Sequence, residues 1–210
     1  MIFYNTLKKN MEKSFRIDDN KGMKKILFLL AFFMPAFSLF AEESAKNKVE
    51  FGLGSGYVFY GDTARRRIDK ISGSSQFIVA GDAAYLVRLN GPVYFCLGGD
   101  LTFDAHWKGS DHVYCWDYCF DAGFRIYPGL AGLACTVNYC LGRRTDFIEL
   151  PGEPGTESSS WGNGFKFGIA YDFSYNSDGF APEVGINFRR MPRGGNESDN
   201  ILGVFLRIKS

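Results

Sequence analysis

From residue 48 onward the chain alternates, one residue at a time, between large apolar side chains and small or charged ones. Tyr114, Trp116, Tyr118, Phe120, Phe124 and Ile126 are aromatic or aliphatic, with one small gap at Ala122. Between them lie Cys115, Asp117, Cys119, Asp121, Gly123 and Arg125. A period of two puts these sets on opposite faces of a β-strand. The pattern recurs and predicts eight strands, at 48–60, 75–89, 92–105, 112–127, 131–143, 161–175, 181–191 and 200–209. Each has one greasy face, such as Phe51, Leu53 and Tyr57 in the first, or Phe165, Phe167, Ile169 and Tyr171 in the sixth. The last strand breaks the rule twice, because Ile201 and Phe205 fall on its polar side.

The connections alternate in length. Asn90-Gly91 and Pro128-Gly129 carry hairpin-turn chemistry. The segments GDTARRRIDKISGS, HWKGSD, RTDFIELPGEPGTESSS and PRGGNESDN read as longer loops at the other end. Pro, Gly and Ser within 151–160 predict a mobile, solvent-exposed segment. Short turns on one side and long loops on the other are the habit of barrels that cross an outer membrane, with the turns in the periplasm and the loops outside. The predicted fold is therefore all-β, an eight-stranded antiparallel up-and-down transmembrane β-barrel.

Alternation alone does not say which face is inside, and a soluble ligand-binding barrel shows the same period. Size decides. The interior of an eight-stranded barrel is just wide enough for side chains. The Phe, Tyr, Trp and Leu set would overfill it, whereas lipid accepts these rings freely. The polar set then lines the lumen. Its predicted charge network is Glu50, Asp82, Arg88, Asp100, Asp104, Asp117, Asp121, Arg125, Lys166, Asp172, Glu183, Arg189 and Arg207, with Lys48 beside it. Nearly balanced signs favour paired charges that plug the lumen over an ion-selective ring. Tyr57, Phe59, Trp116, Tyr118, Tyr171 and Tyr175 are expected at the membrane interfaces.

Composition adds an address. Lys plus Arg number 24 against 23 Asp plus Glu, so no basic face points to nucleic acid. Met23-Lys24-Lys25, the apolar run from Ile26 to Phe40 and Ala41 read as a cleaved signal peptide over 23–41. The barrel then spans 42–210. Residues 1–22 show no pattern and are expected to be an extension ahead of the true start at Met23. Five cysteines, at 96, 115, 119, 135 and 140, would meet an oxidising compartment. Their spacing is not that of a zinc finger, and no cofactor or metal is expected. A turn centred on Pro128-Gly129 predicts Cys119 opposite Asn138 and Cys140 opposite Asp117, making the two cysteines diagonal neighbours. His106 and His112 flank HWKGSD, near Ser110, Asp104 and Asp111. They are read as loop residues, and no catalytic site is assigned.

These strands and turns resemble small eight-stranded outer-membrane proteins of the type of the membrane domain of outer-membrane protein A. The signal MKKILFLLAFFMPAFSLFAEE and the Gly/Tyr-rich strands are also similar to small treponemal outer-membrane proteins. The resemblance implies outer-membrane lipid, the outer-membrane assembly machinery and a host or surface ligand as partners. This chain departs from such barrels in ending Arg207-Ile208-Lys209-Ser210 rather than on an aromatic. The expected function is structural or surface-interacting and adhesin-like, through the outer loops. The alternatives are a narrow channel for small apolar solutes of the outer-membrane protein W type, or an outer-membrane hydrolase.

Overall fold

The structure, a computed structural model, describes residues 47–71, 73–130, 132–173, 182–194 and 197–209. The signal peptide, the N-terminal extension and Tyr175 lie outside the described residues. Among the described residues the elements are β1 (Lys48–Phe59), α1 (Asp62–Lys70), β2 (Ser75–Asn90), β3 (Val93–Lys108), β4 (Asp111–Ile126) and β5 (Leu133–Glu149). They continue as β6 (Gly155–Ser158), β7 (Gly162–Asp172), β8 (Glu183–Pro192) and β9 (Ser198–Lys209). Every strand pair is antiparallel, and pairing of β1 with β9 closes eight of the strands into a barrel. The short β6 pairs only with the end of β5.

The registers set the barrel's shape. The hydrogen-bonded path from Lys48 runs through Leu86, Cys96, Gly123, Asn138, Lys166, Arg189 and Ile201. It returns to β1 at Val58, ten residues beyond its start. Such a stagger forces the strands to tilt by about 40° and leaves a lumen that side chains can fill.

The apolar face is outside. Phe51, Leu53, Phe120, Phe124, Phe167, Ile169, Leu202 and Val204 are all exposed, while Glu50, Asp117, Asp121, Arg125, Glu183 and Arg207 are buried. In water so continuous an apolar exterior would be a severe liability; in hydrocarbon it is the required surface. Phe205 and Ile201 point inward and are buried. Phe205 fits because Gly54 and Gly185 flank it on the two neighbouring strands. A Cβ at Gly185 would lie 2.6 Å from the Phe205 ring.

Three connections differ from the sequence reading. GDTARRRIDK is not an irregular loop but carries α1. HWKGSD is mostly strand, so β3 and β4 meet across a tight turn with Gly109 at φ 63°. Strand 5 runs on to Glu149, through residues assigned to the longest loop, and Gly155–Ser158 within the supposedly mobile segment is paired with it. The exposure expected of 155–158 holds; the absence of structure does not. The β4–β5 register also differs. Cys119 faces Gly142 and Cys140 faces Asp121. The turn is longer than Pro128-Gly129 alone, with Gly129 and Gly132 both at positive φ, which moves the hairpin centre four positions in the pairing sum.

Candidate functional site

The lumen is filled by ion pairs in layers. Toward the end bearing the short turns, Arg125 Nη1 contacts Glu50 Oε1 and lies 3.3 Å from Glu183 Oε2. Arg207 reaches Glu183 at 3.1 Å and Asp82 at 2.8 Å. Lys209 Nζ sits 2.5 Å from Asp172 and 2.6 Å from Glu183. Tyr127 donates its hydroxyl to Asp172 at 2.8 Å. The charged groups come from β1, β2, β4, β7, β8 and β9 and meet because each is at an inward position of its strand, with Tyr127 joining from just past the end of β4.

At mid-height, Lys166 Nζ lies 2.9 Å from both oxygens of Asp100 and contacts Asp121. Asn138 Nδ2 donates to Asp121 at 2.8 Å. Arg189 contacts Asp117 and lies 3.6 Å from Asp100. Higher still, Arg193 bridges Asp117 and Asp199, and Arg144 bridges Asp199 and Asp146. Tyr60, beside the Arg144 guanidinium, donates to Asp104 at 2.8 Å. Isolated charges buried this deeply would cost several kcal/mol each; here every cation faces at least one carboxylate.

The end bearing the longer connections is capped. Ile71, Val113, Cys115, Ile148 and Leu150 form a buried apolar layer, with Tyr60 and Ile68 packed on it. Helix α1 lies with this layer, and its Ala64 is fully buried. Gly61 at its N-cap has no capping side chain. Glu197 of the β8–β9 connection and Asp199 at the start of β9 supply the acceptors instead: Glu197 takes the Thr63 N–H at 2.9 Å, and Asp199 takes the Gly61 N–H at 3.1 Å. At the other end of α1, Arg67 pairs with Glu157 at 2.5 Å and Lys70 with Glu153 at 2.6 Å. The Lys70 hydrogen bond holds the Glu153 carboxyl below its ordinary value.

Twelve of the thirteen residues in the predicted network converge on the lumen. Arg88 does not. It is exposed at the turn end, where its Nε donates to the Gly91 carbonyl at 3.2 Å, because β2 projects past the last layer of partners. Sequence reasoning missed Arg144, Asp146, Arg193, Asp199 and Lys209. Lys209 has the same inward parity as Arg207, so its signal was present. Arg144 and Asp146 were hidden by ending strand 5 too early, and Arg193 and Asp199 sat in a segment read as loop. The two histidines separate. His106 is inward and buried, 3.2 Å from Asp104, while His112 lies on the outer side, stacked on Tyr114 at 4.5 Å.

A closed eight-stranded antiparallel barrel with an apolar exterior and an ion-paired interior is an outer-membrane β-barrel. The chain matches no protein-family model, and no curated sequence matches it. Among solved structures it is similar to Ail, the attachment invasion locus protein of Yersinia pestis, crystallised with the heparin analogue sucrose octasulfate. That match has TM-score 0.56 and 8% identity, and covers 80% of this chain and 100% of that one. Ail crystallised without the analogue gives TM-score 0.51 at 8% identity, with coverage of 80% and 100%. At this identity the likeness is one of fold.

Proposed function

We propose that this chain is a closed, non-conducting outer-membrane barrel that acts as a structural or surface-interaction protein through its capped end, which faces outward. The observation that carries the reading is the crossing of the lumen by Arg125, Lys166 and Arg193, each bridging carboxylates from different strands. The void beside Asp100, Lys166 and Arg189 measures about 40 Å³, room for a water or two rather than a solute path. With the interior filled, the surface left to meet a partner is the capped end, where Arg65 and Arg66 of α1 are exposed. Ail, an attachment protein by name, has this fold, so attachment is among the tasks the fold supports. The reading predicts no stable single-channel steps in planar bilayers. Reproducible conductance that shifts in Asp121→Asn or Arg125→Gln would overturn it and promote the channel. On intact cells, an epitope tag placed after Gly109 should be labelled by antibody, and one placed after Gly129 should not.

A further inference from the structure

At mid-height of the lumen, three sulfur-bearing side chains meet. Cys119 of β4, Cys140 of β5 and Met191 of β8 form a buried apolar cluster of their own inside the ion-pair network. Their meeting follows from parity and register. Cys119 and Asp121 share the inward face of β4, and Cys140 lies across the ladder from Asp121. Gly142, directly opposite Cys119, has no side chain; a Cβ there would come within 2.5 Å of the Cys119 Cβ. The space over Gly142 lets the two thiols approach. Both Sγ atoms and a carboxylate oxygen of Asp121 lie within 4.8 Å of one another. Arg189 Nη1 is 2.8 Å from Cys119 Sγ.

We propose that Cys119, Cys140 and Met191 bind one soft monovalent cation, Cu⁺. Thiolate and thioether donors select such ions, whereas hard cations take oxygen ligands. Binding exchanges two thiol protons for one Cu⁺. The resulting bis-thiolate centre carries one negative charge, and the Arg189 guanidinium stands beside it to balance that charge. Zn²⁺ fits less well. It prefers four ligands, and the carboxylates beside the thiols are already engaged: Asp100, whose Oδ2 accepts from Cys119 Sγ at 3.4 Å, by Lys166, and Asp121 by Lys166 and Asn138. The site uses the barrel fold alone and stands whether or not the lumen conducts. Being buried, it is loaded as the barrel closes.

The test refolds the full barrel in detergent under reducing, oxygen-free conditions with Cu⁺, then desalts it against a Cu⁺ chelator. One copper per chain should be retained, with a near-ultraviolet thiolate-to-copper absorption. Cys119→Ser and Cys140→Ser should each lose it. Met191→Leu, which keeps the packing, should weaken retention roughly tenfold or more, as loss of a supporting group does in metal sites. Heat-modifiable migration in gels reports folding for every variant, and Cys119→Ala or Cys140→Ala replaces the serine variant at the same position if that one fails to fold. No copper on the folded wild type would overturn the site. So would equal retention by the cysteine variants, or retention of Zn²⁺ in place of Cu⁺.

Discussion

Phe167 and Gly168 are adjacent on β7 and belong to different solvents. Phe167 is 50% exposed on the lipid side at the middle of its strand, paired with Val137 and Phe188. Gly168 faces the lumen, where an added Cβ would find its nearest neighbours at 3.6 Å, an ordinary contact. Arginine near the midplane of a barrel's lipid face costs about 2–4 kcal/mol. Phe167→Arg should therefore block refolding into lipid vesicles, while Gly168→Ser should refold nearly as wild type. The opposite order, scored by gel migration, would place the membrane on the wrong face. Inside, the cost is reversed, because a removed charge strands its partners. Arg125→Gln leaves Glu50 and Glu183 short of a cation. Breaking a buried pair from one side costs about 3–5 kcal/mol, so a fall of roughly that size in urea-unfolding stability is expected. An unchanged midpoint would mean that Lys209 and Arg207 can carry the layer alone.

Helix α1 shows what an element can owe to its surroundings. Nine residues are too few for a stable helix in water. It forms where Glu197, Asp199, Glu153, Glu157 and the apolar layer under Ile68 hold it. Its own sequence is compatible, with Asp62 in the first turn and Arg67 and Lys70 in the last, the signs the helix dipole favours. The docking contacts are partly electrostatic, which gives a sign for pH. Glu153 has a folded pKa below its ordinary 4.5. The stabilisation from its pairing with Lys70 is thus present above the ordinary value and is lost as pH falls through the lowered one. Glu153→Gln with Glu157→Gln should imitate that loss at neutral pH. Trypsin should then cleave the double variant faster after Arg65 and Arg66 than it cleaves wild type, with the rest of the barrel intact. Equal cleavage rates would show that the apolar layer and the Glu197 and Asp199 acceptors hold the helix without these two pairs.

At the scale of the molecule, closure and the outer wall make one prediction. The eight wall strands close on β1, each paired on both sides, and share the stability, so detergent alone should not open the barrel. The protein should fractionate with the outer membrane and migrate differently on gels before and after boiling. A chain that stayed in solution after export, without detergent, would contradict the assignment of Phe51, Phe120 and Val204 to lipid.

The sequence by itself determined which residues alternate, hence eight wall strands, the inward set from Glu50 to Arg207 and the apolar exterior. The alternation is local geometry, because a strand's side chains have a period of two wherever it lies, and the size of the apolar side chains puts their face outside an interior of eight strands. Even the exceptions Ile201 and Phe205 were visible as exceptions; that glycines at 54 and 185 make room for Phe205 was not. Only the tertiary structure decided registers, caps and partners. The β4–β5 hairpin centre depends on how Gly129 and Gly132 turn the chain, and it sets which groups meet Cys119 and Cys140. Arg144, Asp146 and Asp199 join the network because strands persist where neighbouring strands supply hydrogen bonds, past the point where composition suggests a loop, and Arg193 joins from the turn just beyond β8. Helix α1 forms because the mouth of the barrel offers it an apolar floor and carboxylates, and neither is written in its own nine residues.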